Sequence, residues 1–231
     1  MYNLNEFTTR DALDQQLAEK ITTILSKAIA DKGKASIAVS GGSTPKGLFK
    51  ILSEQTIDWS KVSITLADER WVEFDDEASN TRLVHDYLLQ NNAQSAHFFH
   101  LKQPGELSEE VLTDLNAAVL TQVLPLDVLI LGMGEDGHTA SLFPCSEQIK
   151  VGLALDNPNA LMLVQPATAP HTRISFTFNT LAQSKNIFLH ISSASKKQVL
   201  EKAVADLDVF DMPIRAFLHN DKIDTQVYWA D

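Results

Sequence analysis

Val128–Leu131 is an uninterrupted apolar run that stops at Gly132, and the next six residues, Met-Gly-Glu-Asp-Gly-His, bring two more glycines, an acid pair and His138. A run this short, bounded by glycine, reads as a strand rather than a helix. Because every side chain in it is apolar, it belongs in a sheet covered on both faces, which predicts a central parallel strand. In open α/β sheets, ligands collect outside the carboxyl ends of such strands. His138 is therefore expected at the mouth of a cleft.

The same succession of short strand, polar loop and helical pattern recurs along the chain. Ala35–Val39 leads into Ser40-Gly41-Gly42-Ser43-Thr44-Pro45 and then into helical spacing at Leu48, Phe49, Ile51 and Leu52. Paired glycines let successive N–H groups point at one spot, and the helix N-terminus adds partial positive charge, which makes the loop a candidate phosphate cradle. A plain turn capped by Ser43 or Thr44 is the simpler alternative, and the spacing is not that of a Walker A loop. A strand over 62–67 ends in Asp68-Glu69-Arg70, where Arg70 could clamp a phosphate and Asp68 could bond sugar hydroxyls, or the charges could simply pair at the surface. A strand over 186–191 runs into serines, Lys196 and Lys197 at a helix start, and either lysine could be a solvated helix residue. His171 and Arg173 flank the start of a further alternating strand, within reach of an anion.

Around these strands, a Thr8…Asp11 capping box opens a first amphipathic helix that ends near Gly33, Ser79 caps a helix, and Ser108 caps another over 107–123. Asn179 or Thr180 caps a short helix, residues 213–218 form another, and 225–229 read as a last strand at the sheet edge. The alternation predicts an α/β fold over residues 1–231 as one domain: a Rossmann-like, mostly parallel sheet with helices on both faces.

Charge narrows the functional classes. A formal net charge of -11 argues against non-specific nucleic-acid binding and against an anionic membrane surface. It leaves room for a small anion held by a local cluster of cations and N–H groups. The lone Cys145, an N-terminus without secretory features and the absence of a membrane-length apolar run make the cytoplasm the expected compartment. His97 and His100 share a helical spacing but have no third ligand nearby, and the acidic run 73–77 reads as a solvated turn, so no metal site is expected. Gly132, Gly134 and Gly137 match the dinucleotide pattern, with Asp156 nineteen residues beyond; the segment after His138 is not a long helix, and Asp156 sits in a turn-forming stretch, so this reading is set aside. Asp136 two residues before His138 makes better sense as an acid–base unit, since a close carboxylate fixes an imidazole's tautomer and stabilises its cation. The plainer alternative is a structural histidine at a helix cap.

Taken together, SGGSTPKGLF, ADERWV with the later SNTRLV, LDVLILGMGEDGHTASLFP, PHTRISFTFNTL and the closing VYW resemble the 6-phosphogluconolactonase family, from about residue 40 to 229. The resemblance implies a fold shared with glucosamine-6-phosphate deaminases and ribose-5-phosphate isomerases. It also implies hydrolysis of 6-phospho-D-glucono-1,5-lactone in the pentose phosphate pathway, with no cofactor or metal. By position it makes His138 the general base and Asp136 its partner. Gly41, Gly42, Ser43, Thr44, Arg70, Arg173 and Lys196 become the phosphate and sugar contacts, beside the Asp68 read above as a sugar contact, with Lys197 the alternative to Lys196. The related deaminases resemble GxGxDGHxAFNEP here, with a glutamate just past the histidine; residues 139–144 contain no carboxylate, which favours the lactonase. A catalytically silent sugar-phosphate binder is the other rival, although no basic segment is left to form a DNA-binding head. Cys145 stands where the family has glycine, and a monomer is the expected state.

Overall fold

The computed structural model describes residues 2–231. Seven strands form one sheet in the order β1 (Tyr2–Phe7), β10 (Thr225–Ala230), β9 (Ile187–Ser192), β6 (Val128–Leu131), β2 (Ala35–Val39), β3 (Val62–Leu66), β5 (His97–Phe98), and every neighbouring pair is parallel. β6 is thus central, as its composition requires. β2, β6 and β9 are buried at every residue, so both faces of the sheet are covered.

The helices are α1 (Arg10–Lys32), α2 (Lys46–Ser53), α3 (Asn80–Tyr87), α4 (Glu109–Gln122), α5 (Ile149–Gly152), α6 (Phe178–Leu181), α7 (Ala194–Val204) and α8 (Arg215–Leu218). α1 buries Leu13, Leu17, Ile21 and Leu25 and stops at Gly33, whose φ of 78° turns the chain out of the helix. Its cap is Thr9, which accepts from Ala12 N, and not the Thr8 of the expected capping box. Ser79 and Ser108 cap α3 and α4 as expected, accepting from Arg82 N and Val111 N. α6 begins after Thr177 rather than at Asn179 or Thr180. Among the described residues, no helix is long and apolar enough to cross a membrane.

Three features depart from the sequence reading. β10 is not an edge strand, because β1 lies outside it and pairs with it from Tyr2↔Thr225 to Phe7↔Ala230. β1 alternates asparagines and an acid with apolar residues, a pattern too polar to announce itself. His97 lies in β5 rather than on a helix, and His100 packs within an aromatic group, 4.7 Å from the Phe98 ring centroid and 5.9 Å from that of His85. Finally, β4 (Asp68–Arg70), β8 (Arg173–Phe176) and β7 (Leu161–Val164) make a second, antiparallel sheet. It branches from β3 at Ala67, whose N–H bonds to Val39 O while its carbonyl accepts from Phe176 N. The small sheet matters for function because its register sets Arg70 directly opposite Arg173.

Candidate active site

The loops after β2, β6 and β9, together with the small sheet, border one cleft of about 270 Å³. Gly41, Gly42, Ser43, Thr44, Asp68, Arg70, Arg173, Lys196 and His138 all line it. Asp136 does not; it stands behind His138, bonded to its ring. His171 is not part of the lining, and Asp156 is exposed in a turn outside the cleft.

The loop after β6 folds back on itself to present the histidine. Gly134 N donates to His138 O at 2.9 Å, Gly137 N donates to Gly134 O at 3.2 Å, and Gly137 turns the chain with a φ of 74°. Gly134 is required by contact, because a Cβ there would lie 2.1 Å from His138 Nδ1. The imidazole Nδ1 is 2.5 Å from Asp136 Oδ1, which also accepts from His138 N at 3.1 Å. Partial burial pushes the Asp136 carboxyl up, but the hydrogen bonds and charge of His138 outweigh it and hold Asp136 below its ordinary value. Asp136 is therefore an acceptor at neutral pH, which puts the hydrogen on Nδ1 and leaves the Nε2 lone pair free. Phe143 stacks on the imidazole at 4.1 Å, and Thr139 Oγ1 donates to Gly132 O at 2.8 Å, fixing the segment after the histidine. Immediately beyond His138 the chain makes a tight turn closed by a Thr139↔Leu142 bridge, not the helix of a dinucleotide site.

The opposite wall is cationic. Arg70 Nη1 donates to Ala78 O at 2.6 Å, and Arg173 Nη1 lies 3.7 Å from Asp68 Oδ2. Arg173 Cζ also sits 5.0 Å from the Phe143 ring centroid, so the ring that supports His138 touches the guanidinium as well. The Nε atoms of both arginines are buried without a hydrogen-bond partner. Burial weakens Arg173's hold on its proton, Asp68 opposes that, and Arg70 adds to it. Asp68 itself is buried and accepts from Ser141 Oγ, so its Oδ2 is engaged within the wall.

Two residues passed over by sequence reasoning organise this wall. Glu69, 1 % exposed, pins the start of α3: Oε1 accepts from Arg70 N and Asn80 N, and Oε2 accepts from Thr81 N and Thr81 Oγ1. Burial raises its pKa despite those bonds. Asn80 then donates from Nδ2 to Asp68 O at 3.0 Å and lies so close to Gly41 that a Cβ there would be 1.9 Å from its Oδ1. The glycine loop is thereby seated on α3. Gly42, with a φ of 94°, turns the loop toward the cleft.

The two lysines separate cleanly. Lys196 lines the cleft, with Nζ 2.8 Å from Glu135 Oε1. Lys197 pairs with Glu6 and lies over the Trp229 ring at 4.2 Å, facing away from the site. No group of three or more His, Cys, Asp or Glu side chains among the described residues is placed to hold a metal ion. Cys145 is exposed, 3.1 Å from Thr168 Oγ1; burial alone would raise its pKa, but the Thr168 hydroxyl and nearby backbone donors lower it.

The chain is similar to known proteins over nearly its whole length. The family model for glucosamine-6-phosphate isomerases/6-phosphogluconolactonase matches residues 8–229. A 6-phosphogluconolactonase of Rhizobium meliloti is 42% identical over 99% of this chain and 98% of its own, and one of Helicobacter pylori is 37% identical over 99% and 98%. The crystal structure of a 6-phosphogluconolactonase from Shewanella baltica superimposes with a TM-score of 0.96 at 44% identity, covering 100% of this chain and 98% of that one. A monomeric glucosamine-6-phosphate deaminase, at 18% identity and a TM-score of 0.80 over 99% and 97%, shares the fold. On the family match and these full-length relatives, the chain belongs to the glucosamine-6-phosphate isomerase/6-phosphogluconolactonase family.

Proposed function

We propose that the protein hydrolyses 6-phospho-D-glucono-1,5-lactone to 6-phosphogluconate, the lactonase step of the oxidative pentose phosphate pathway. The observation that carries the reading is a histidine–carboxylate pair on a glycine loop, across one cleft from two arginines whose Nε donors are unmet. His138 Nε2 takes a proton from water as the oxygen attacks the lactone carbonyl carbon. The tetrahedral adduct then collapses, the bond to the ring oxygen breaks, and His138 returns its proton to that oxygen, so that one residue serves as base and then as acid. Asp136 fixes the tautomer and stabilises the imidazolium formed in between.

The phosphate, remote from the reacting carbon, supplies positioning energy. Arg173, Arg70 and Lys196 hold it with the N–H groups and hydroxyls of Gly41, Gly42, Ser43 and Thr44. Asp68 acts on the sugar side and keeps Arg173 in place. Residues 139–144 place no carboxylate beside His138; Thr139 and Ser141 are tied instead to Gly132 O and Asp68, which supports lactone hydrolysis over amino-sugar chemistry. The reading extends to a cytoplasmic monomer acting without cofactor or metal.

The test is to generate the lactone in place and follow its disappearance at controlled pH, with spontaneous opening subtracted. Native protein should accelerate the reaction, and His138→Ala should lose roughly a hundredfold to ten-thousandfold while still binding 6-phosphogluconate. A folded native protein that gives no acceleration would sink the reading.

A further inference from the structure

The helix that carries Lys196 starts from a residue in a backbone conformation that belongs almost entirely to glycine. Ser193, the cap of α7, has φ 96° and ψ 154°. The other hydroxyl caps of this protein, Thr9, Ser79 and Ser108, have φ of -145°, -71° and -89° with ψ between 120° and 166°, the extended backbone usual at that position. Capping alone therefore does not call for a positive φ. A strained residue persists only where its surroundings over-determine it, and here they do so from one strand. Ser193 N donates to Ala230 O at 2.9 Å, and Trp229 Nε1 donates to Ser193 O at 2.9 Å, so β10 holds both backbone polar groups of the residue. Its Oγ accepts from Lys196 N at 3.4 Å and lies 2.9 Å from Ser195 Oγ.

The effect of this clamp falls on Lys196. It stands in the first turn of α7 and is bonded to Ser193 through its own N–H, so the peptide planes at Ser193 set the direction in which its side chain leaves the helix. That direction takes it to the cleft wall, where Nζ meets Glu135 of the histidine loop at 2.8 Å. Were Ser193 to relax to a negative φ, the chain beyond it would swing and carry the ammonium off that wall. Trp229 has a second contact, Lys197 Nζ at 4.2 Å from its ring centroid. That cation lies over the ring face, whereas the donor to Ser193 is at the ring edge, so mutation can separate the two.

We propose that Trp229 is a positioning residue whose indole N–H locks Ser193 in its strained conformation and thereby aims Lys196 at the substrate phosphate. This rests on the reading of Lys196 as a phosphate contact. The test is a double-mutant cycle with one readout that needs no turnover. Trp229→Phe keeps a ring and removes the donor. It should raise KM for the phosphorylated lactone about fivefold with kcat unchanged, and weaken binding of 6-phosphogluconate, measured by calorimetry, by the same factor. In a Lys196→Ala background the same substitution should alter neither KM nor affinity, because no ammonium is left to aim. Ser193→Gly, which adopts a positive φ without a Cβ penalty, should restore both values in the Trp229→Phe protein. Lys197→Ala, which empties only the ring face, should leave them native.

A native KM and affinity in folded Trp229→Phe, the same loss with and without Lys196, or no rescue by Ser193→Gly would each overturn the proposal. If Trp229→Phe does not fold, Ser193→Val takes its place in the cycle, since a β-branched side chain cannot hold that φ while Trp229 stays intact. If affinity for 6-phosphogluconate follows the cycle but no lactone is hydrolysed, the positioning role stands and the lactonase reaction falls. If the lactone is hydrolysed while the effects of Trp229→Phe and Lys196→Ala simply add, the reaction stands and the positioning role falls.

Discussion

Adding one methyl group at Gly134 tests the geometry of the histidine loop. The new Cβ would lie 2.1 Å from His138 Nδ1, 2.2 Å from Cε1 and 2.7 Å from Asp136 Oδ1. Ordinary contact begins near 3.4 Å, so the ring must retreat by about 1.3 Å, the difference between 3.4 and 2.1. Phe143, stacked at 4.1 Å, stands in the way on a ring face, and any sideways escape breaks the 2.5 Å bond to Asp136. Because Gly134 does not have a positive φ, the change adds no backbone strain of the left-handed kind. A misplacement of about 1 Å in a reacting group costs on the order of a hundredfold. Gly134→Ala should therefore lower kcat for lactone hydrolysis about a hundredfold, leave KM within a few-fold, and shift the urea midpoint little. The assay is continuous titration of released acid with background subtracted, alongside binding of 6-phosphogluconate. A variant with native kcat would show that the ring position is not what the reaction depends on.

Arg173→Ala should raise KM about ten- to hundredfold by removing a charged phosphate contact, as measured by initial rates over a range of lactone concentrations; unchanged KM and kcat would exclude that role. Lys196→Ala should raise KM, whereas Lys197→Ala should leave both constants native, because Lys197 faces Glu6 and Trp229. Asp127 is 1 % exposed; burial raises its pKa, but hydrogen bonds from Lys32, Lys185 and Ser36 N outweigh this and hold it below the ordinary value. Its stabilisation is complete above the unfolded carboxylate pKa of about 4 and disappears as pH falls through the lower folded value. Asp127→Asn should cost about 2 kcal/mol at neutral pH, with both lysines free to turn to solvent, and should flatten the loss of stability below pH 4 in chemical denaturation.

The parts of the site at strand ends were legible because each joins an apolar run to a loop of distinctive chemistry. The segments 40–45 and 132–138 pair glycines with donors or an acid–base couple, and the parallel fold brings such loops to one end of the sheet. Other parts stayed hidden because they depend on contact across the chain. Glu69 looks like one charge among three in Asp-Glu-Arg, and only the arrival of α3 beside it makes it an anchor for two helix-start N–H groups. His190 lies within a strand that is apolar but for it and Ser192, where nothing local marks it as bordering a cleft. The small sheet escaped notice for a similar reason, since Asp68–Arg70 has little strand propensity and takes its conformation from pairing with β8. Lys196 and Lys197 are equivalent in sequence; the direction in which α7 turns them separates the two.

The pairing of β1 with β10 bears on how the protein is made. β1 is made well before its partner and stays unpaired until Thr225–Ala230 has also been made. β10 in turn supplies the carbonyl of Ala230 to Ser193 N, while Trp229 Nε1 donates to Ser193 O, at the turn from which Lys196 projects. A nascent chain halted before that strand would hold much of the parallel core yet leave one wall of the cleft untied. Acquisition of activity should then require β10 to be in place beside β9, as a single step rather than a gradual gain.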